Sequence, residues 1–187
     1  MSELVESAER LLDLFTAPSF WIALQGIVDH PQQELRVETP YVGVGEAASL
    51  DASMLGQSAS QPGSLAISER MAHFKHRGDK WRFLNVYDRR IVRFDNTLAN
   101  RFVAYFVRYA IKRLRPVAAA LAIDEKGALY VPEFLRIIRR LNAVWSQLPD
   151  SFKYTPLREM PLDHPFLQFD PKYHIILKTY HACENNV

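Results

Sequence analysis

A long amphipathic segment near the middle of the chain most constrains the fold. Between residues 97 and 115, apolar side chains recur every three or four positions, the spacing that places them on one face of an α-helix. This apolar stripe consists of Leu98, Phe102, Tyr105, Phe106, Tyr109 and Leu114. Asp95 or Asn96 is expected to cap the helix, because a short polar side chain there accepts a hydrogen bond from a free backbone N–H group. Pro116 is expected to end it. The segment therefore predicts one core helix over residues 97–115.

Other segments predict further helices and a small amount of β-structure. Helices are predicted in residues 2–15, 19–30, 51–58, 131–148 and 171–185. Residues 34–47 carry β-forming side chains on both sides of a Thr39-Pro40 pair, which predicts a β-hairpin. Residues 74–94 are predicted to be either a strand pair or irregular, and residues 149–171 to be an extended connection.

These segments together predict the fold class and the division of the chain. The class is mainly α with a small β-hairpin element (α+β) and a helical C-terminal half. Residues 1–95 form an N-terminal mixed α/β part and residues 96–187 a helical part, and the two are expected to form one compact unit.

Composition and charge exclude several classes of protein. The 187 residues carry a net charge of +2, so any basic surface must come from local clustering. Cys183 is the single cysteine, which excludes an internal disulfide and fits a reducing compartment. No apolar run approaches the roughly 20 residues needed to cross a bilayer, and the N-terminus does not resemble a secretory signal. These features predict a soluble, cytoplasmic protein with no membrane partner.

Two groups of basic residues are candidates for contacts with DNA or a partner protein. The candidates are Arg113, Arg115, Arg136, Arg139 and Arg140. The last three have the i, i+3, i+4 spacing that places side chains on one side of a helix. The first two, with Lys112, occupy the predicted last turn of the long helix, where the helix dipole also favours cations. Together they would bind phosphates with a salt-dependent affinity. The alternative is that they are solvated, or paired with acids elsewhere in the fold.

No catalytic or metal-binding motif is recognisable in the sequence. The phosphate-binding glycine loop, the GxSxG elbow and the HExxH motif are missing. A nuclease of the PD-(D/E)xK type needs acids and a lysine that converge on a metal, but Pro171 interrupts the only suitable spacing, Asp170 to Lys172. His174 and His181 would lie two helical turns apart, too far to share one ion. We therefore expect no catalytic residue, no metal site and no cofactor in this chain.

Three stretches of the sequence, in the same order, resemble one family of restriction proteins. The stretch RFDNTLANRFVAYFV (residues 93–107) resembles the ETPENRFVKxFL segment of McrC-like restriction proteins, in the domain that precedes their PD-(D/E)xK nuclease. The matching residues are Asn96, Thr97, Asn100, Arg101, Phe102 and Val103. Leu98 and Ala99 replace the usual PE. Residues 26–51 and 161–181 are similar to the stretches that come before and after that segment in the family.

The resemblance implies a non-catalytic adaptor module of a prokaryotic DNA restriction and antiviral defence system. In such systems an McrC-like protein couples a ring of AAA+ NTPase subunits to a C-terminal nuclease that cuts DNA. The implied partners are therefore an AAA+ subunit and DNA, and Mg²⁺ would be needed only by the nuclease. That nuclease would begin near Val187, the last residue, so we expect it to be absent from this chain. The alternative function is a stand-alone DNA-binding module that uses basic helix faces.

Asn100 and Arg101 are the two residues of the long helix that neither capping nor periodicity explains. We expect Arg101 to form a buried, charge-assisted hydrogen-bond cluster with backbone carbonyls or with an acid such as Asp88. Its replacement by alanine would then lower stability by several kcal/mol, because a buried charge would lose its partner. The alternative is that Arg101 contacts DNA or the NTPase partner.

Overall fold

The helices at both ends of the chain share one hydrophobic core. The computed structural model describes residues 3–48 and 51–185, and the chain forms two units. Unit 1 consists of Met1–Gln33 and Asp95–Val187, and unit 2 consists of Glu34–Phe94. The predicted division near residue 95 thus falls at one of two boundaries, and Met1–Gln33 belongs with the helical part. The first two helices join that part because their apolar faces are buried in the same core as the later helices.

The described residues form eight α-helices and seven short strands, which confirms the predicted class. The helices are α1 (Glu3–Thr16), α2 (Pro18–Asp29), α3 (Ala52–Ala59), α4 (Leu98–Leu121), α5 (Val131–Gln147), α6 (Asp150–Tyr154), α7 (Pro165–Phe169) and α8 (Pro171–Asn185). The strands are β1 (Glu34–Glu38), β2 (Tyr41–Gly43), β3 (Leu65–Ile67), β4 (Phe74–His76), β5 (Asp79–Phe83), β6 (Asn85–Tyr87) and β7 (Arg90–Phe94). Helix α3 and all these strands belong to unit 2.

Helix α4 is the central element of unit 1. It packs against α1, α5, α6 and α8, and its buried side chains run from Ala99 to Leu121. Aromatic rings fill the core beside it: the ring of Phe20 meets those of Phe15 and Phe106 edge-on, with centroids 5.3 and 6.1 Å apart. Such pairs contribute roughly 0.5–1.5 kcal/mol beyond the apolar area that they bury. With most of its circumference covered, α4 leaves one narrow face to solvent.

The cap of α4 differs from the prediction. Thr97, rather than Asp95 or Asn96, precedes the first turn with extended backbone geometry, and its hydroxyl oxygen accepts the N–H of Asn100 at 3.3 Å. The two preceding residues have other roles: the carbonyl of Asp95 accepts a hydrogen bond from Asn100, and the Asn96 amide donates to Thr155.

The C-terminal end of α4 also differs from the prediction. The helix continues through Pro116 to Leu121. Proline has no N–H to donate to the carbonyl four residues earlier, but Ala118 and Leu121 are buried beyond it, and their packing carries the helix onward. Arg113 and Arg115 therefore lie in the body of the helix rather than its last turn, so the dipole of the helix end does not act on them.

Replacing Pro116 by alanine is expected to raise the free energy of unfolding by about 1–2 kcal/mol. Alanine restores the missing backbone hydrogen bond and is favoured over proline in a helix interior by roughly 3 kcal/mol. Because the backbone of α4 is already adapted to Pro116, we expect the substitution to gain only part of this difference. Urea unfolding followed by circular dichroism measures the change. Pro132→Ala is the matched control, since Pro132 stands in the first turn of α5, where proline costs little. A loss of stability in Pro116→Ala would contradict the expectation.

The predicted β-hairpin over residues 34–47 is wrong. Strand β1 pairs antiparallel with β7, from Glu34 opposite Phe94 to Glu38 opposite Arg90, and β2 pairs with β6. In the segment between β1 and β2, the carbonyl oxygen of Pro40 accepts a hydrogen bond from the N–H of Asp88 at 2.9 Å. The strands do not fold back at Thr39-Pro40, because a two-residue hairpin turn needs positive φ angles that neither residue supplies. The partner strands are instead supplied by a segment that returns much later in the chain.

The segment of residues 74–94 is a set of strands rather than irregular chain. Strands β4 and β5 form a hairpin closed by Arg77 and Gly78, with φ angles of +50° and +94°, and β3 adds to the other edge of β5. Gly78 fits this turn because only glycine adopts such angles without strain. The connection between α5 and α8 also differs from the prediction, since it contains the short helices α6 and α7.

Among the described residues, no single helix is long and apolar enough to cross a membrane. Helices α1 and α2 meet that requirement only when counted together, across a bend of 50° between them. Both of these helices bury their apolar side chains in the core of unit 1.

Candidate functional site

Asn100, one of the residues that match the family segment, has a buried side chain at which three segments of unit 1 meet. Its Nδ2 donates to the carbonyl oxygens of Gln32 at 2.9 Å and Asp95 at 2.5 Å. Its Oδ1 accepts the N–H of Gln32 at 3.3 Å and the hydroxyl of Tyr173. The Gln32 N–H also reaches the Tyr173 oxygen at 2.8 Å. Asn100 is 0% exposed, so these groups satisfy one another without solvent. We call this set the Asn100 cluster.

The protonation state of Tyr173 suits its place in the Asn100 cluster. Burial raises the pKa of the Tyr173 hydroxyl to about 12. The hydroxyl is therefore protonated at neutral pH and can donate to Asn100. The hydrogen bonds of the cluster join three segments of unit 1, at Gln32, at the start of α4 and at Tyr173 of α8, so we interpret it as an architectural feature of this unit.

The prediction for Arg101 is wrong in its partner. The Arg101 side chain is half-buried, and its Nε donates to the uncharged Oδ1 of Asn96 at 2.7 Å. Asp88, the acid suggested by the sequence, instead accepts hydrogen bonds from the Arg90 side chain and from the N–H of Ala48. The buried polar role that was expected of Arg101 thus belongs to its neighbour, Asn100. The fifth motif residue, Phe102, is fully buried and packs edge-on against Tyr180.

A basic groove runs along the solvent-facing side of α4. Every third or fourth residue of the helix lies on this side, in the order Arg101, Tyr105, Arg108, Lys112 and Arg115. A pocket of about 480 Å³ is lined by the first three of them, and a pocket of about 400 Å³ by the last three. Both pockets are also lined by Trp145 of α5 and Tyr154 of α6. Because the pockets share these residues, we treat them as one groove, the α4 groove, defined by the five α4 residues with Trp145 and Tyr154.

The charge of the α4 groove is strongly positive. Arg108, Lys112 and Arg115 are exposed and form no salt bridge with any residue that the structure describes. Lys153 and Arg158 add two cations at the wall of the larger pocket, where Lys153 pairs with Asp150 at 2.8 Å. Among described residues, Glu159 is the only acid that lines either pocket. The small net charge of the chain therefore conceals one surface on which unpaired cations are concentrated.

The structure separates the basic residues that the sequence grouped together. Only Arg115 lies in the α4 groove. Arg113 is turned toward the ring of Tyr109, 5.8 Å from its centroid, because residues two apart on a helix point in very different directions.

The three arginines of α5 lie outside the α4 groove. Arg136 binds Glu133 of its own helix, with Nη2 and Oε1 2.5 Å apart, and Arg140 lies over the ring of Trp21 at 4.0 Å. Arg139 donates to the backbone of its own helix, at the carbonyl of Leu135. The Arg136–Glu133 ion pair is an example of the alternative in which these arginines pair with acids, although this acid lies on α5 itself.

Sequence reasoning missed Arg108, Tyr105, Trp145 and Tyr154 as groove residues. It gave Arg101 a contact with DNA or the NTPase partner only as an alternative, and it assigned Tyr105 to the apolar stripe although that side chain is 41% exposed. A signal for Arg108 and Tyr105 was present, since residues 101, 105, 108, 112 and 115 repeat at alternating spacings of four and three. That pattern places them on one helix face, opposite the side chains of α4 that are buried in the core. No comparable signal exists for Trp145 and Tyr154, which reach the groove only through the packing of α5 and α6 on α4.

No three His, Cys, Asp or Glu side chains within residues 3–48 and 51–185 are grouped so that they could hold a metal ion. Burial raises the pKa of the Cys183 thiol to about 12, so its reactive thiolate is not formed near neutral pH. The expectations of no catalytic residue and no cofactor stay predictions.

Comparison with models of protein families, with curated proteins and with solved structures found no match for this chain. The McrC-like resemblance accordingly stays a prediction from the sequence.

Proposed function

We propose that unit 1 binds nucleic acid along the α4 groove, as the DNA-contacting part of a non-catalytic module. The observation that supports this proposal is the row of unpaired cations at Arg108, Lys112 and Arg115, with Arg101 at its start. From residue 101 to residue 115 the row extends over about 21 Å, at a rise of roughly 1.5 Å per residue. A nucleic-acid strand carries a charge every 3.4 Å or so in a duplex, so it presents several phosphates over that length.

The groove suits a polyanion better than a single small anion. Its cations are spread along a helix face instead of converging on one point, and no buried carboxylate among the described residues holds any of them in place. Arginine side chains supply planar forks of N–H donors that match phosphate oxygens. An acidic protein surface is the competing class of ligand, and it lacks the regular charge spacing of a phosphate backbone.

The salt dependence of binding tests this proposal. Fluorescence anisotropy with fluorescein-labelled 20-mer DNA, single-stranded and duplex, is measured from 50 to 200 mM KCl. Four phosphate contacts predict a slope of log K against log salt of about −3, which is a loss of about a hundredfold over this range. A poly-glutamate peptide of equal charge serves as competitor. Equal affinity for poly-glutamate, or no DNA binding at 50 mM KCl, would overturn the proposal.

The family resemblance extends the proposal beyond the groove. We propose on that ground that the chain belongs to a restriction or antiviral defence system and docks to an AAA+ NTPase subunit. Cleavage of DNA would then require a separate Mg²⁺-dependent nuclease domain, and the module would work in the cytoplasm. Plasmid DNA incubated with the purified chain and Mg²⁺ is accordingly expected to stay intact, and nicking or cleavage by the chain alone would contradict this assignment.

A further inference from the structure

Aromatic rings lie among the cations of the α4 groove. Trp145 and Tyr154 each line both pockets, beside Arg108. Tyr154 is 72% exposed and Tyr105 is 41% exposed. Trp145 is half-buried against the core, with Lys153 Nζ 6.0 Å from its ring centroid, whereas the Tyr154 ring is largely open to solvent. A ligand that offers both flat apolar faces and negative charge would cover these rings and the neighbouring cations together.

Single-stranded nucleic acid is the ligand that offers both. Its bases expose their π-faces, and proteins that bind single strands combine a basic groove with aromatic side chains on which bases stack. We propose that the α4 groove binds single-stranded nucleic acid, with bases stacked on Tyr154 and Trp145 and phosphates on the α4 cations. This inference rests on the proposed function and names the form of nucleic acid that the site prefers.

The shape of the site disfavours a duplex. A helix enters the major groove only when it protrudes, since that groove is about 12 Å wide and a helix with its side chains is 10–12 Å across. Helix α4 does not protrude, because α5, α6 and α8 all pack against it, and residues 155–160 line the larger pocket beside it. A duplex also hides its base faces inside the stack, where Trp145 and Tyr154 cannot reach them. A duplex would thus touch the cations alone.

The test separates the bases from the backbone. Labelled dT12 is compared with a 12-mer of abasic deoxyribose phosphates, which has the same charge but no bases, and with U12 and a 12-bp duplex. All are titrated with the full chain at 100 mM KCl. We expect dT12 to bind at least tenfold more tightly than the abasic strand, since even one or two stacked bases account for that difference. The U12 arm shows whether DNA and RNA strands are distinguished.

A variant identifies the stacking ring. Tyr154→Ala is expected to weaken dT12 binding about tenfold and to leave abasic binding and the salt slope unchanged. Phe169→Ala is the matched control, because Phe169 is an exposed aromatic (84%) that lines neither pocket. It is expected to bind dT12 like the original chain.

Each outcome has a distinct meaning. Equal affinity for dT12 and the abasic strand, with a steep salt slope, would overturn the single-strand inference and leave the proposed function standing. A duplex that binds as tightly as dT12 would have the same meaning. If no probe binds, the proposed function fails together with the inference. Tryptophan fluorescence is also measured as dT12 is added to the original chain and to Trp145→Phe. If dT12 quenches the original chain but not the variant, while both bind dT12 with similar affinity, a base lies at Trp145 and the inference is supported.

Discussion

Replacing Asn100 by alanine is expected to lower the free energy of unfolding by roughly 3 kcal/mol or more. The substitution removes both halves of the amide that satisfies the Gln32 backbone, the Asp95 carbonyl and the Tyr173 hydroxyl. Each buried polar group left without a partner costs about 1–3 kcal/mol, and the Asn100 side chain is fully buried. Urea unfolding followed by circular dichroism measures the loss.

The neighbouring residue supplies the control for Asn100. Arg101→Ala is expected to cost less than about 1 kcal/mol, because its side chain is half-exposed and its partner is neutral. A double-mutant cycle with Tyr173→Phe adds a second check. Because the two side chains share one hydrogen bond, the cost of the double variant should fall short of the sum of the single costs. Equal losses for Asn100→Ala and Arg101→Ala would contradict the assignment of the buried role to Asn100.

Neutralising the exposed cations of the α4 groove is expected to reduce DNA affinity about a hundredfold at 100 mM KCl. The triple variant Arg108→Gln, Lys112→Gln, Arg115→Gln removes three phosphate contacts and should make the salt slope shallower by about 2. All three side chains are exposed and form no salt bridge with described residues, so the fold should be unaffected. Thermal melting verifies that it is.

The α5 arginines supply a control of equal charge. Arg136→Gln, Arg139→Gln, Arg140→Gln changes the net charge by the same amount but lies outside the α4 groove. Its DNA affinity should stay within about threefold of the original, which corresponds to weak long-range electrostatics screened by salt. If the α5 variant loses more affinity than the groove variant, the basic surface expected from sequence spacing is the true site and the α4 groove is not.

Helices could be predicted from the sequence because their signal is local. The periodicity of residues 3–16, 131–147 and 171–185 fixed these elements within a residue or two. The extension of α4 past Pro116 was missed, because burial of Leu121 depends on packing that no local rule registers. Strand pairing was missed for the same reason, since the partner of Glu34 is Phe94 and not a residue across a nearby turn.

The site was harder to predict than the fold. The importance of Asn100 depends on partners that are 68 and 73 residues away, and nothing in the segment itself distinguishes it from Arg101. The α4 groove could be predicted only in part. Its cations follow from helical spacing, whereas its rings come from α5 and α6 and depend on how these helices pack against α4.

The Asn100 cluster also determines what can change elsewhere in the chain. The polypeptide leaves unit 1 after Gln33 and re-enters it at Asp95. The side-chain amide of Asn100 donates hydrogen bonds to the backbone on both sides of this segment. Residues 34–94 are thus an insertion into unit 1, and hydrogen bonds to Asn100 hold the residues that flank its two ends. For such an insertion each doubling of length costs only about 0.6 kcal/mol in loop-closure entropy. We therefore expect changes in the length of this β-rich segment to cost unit 1 little in loop-closure entropy.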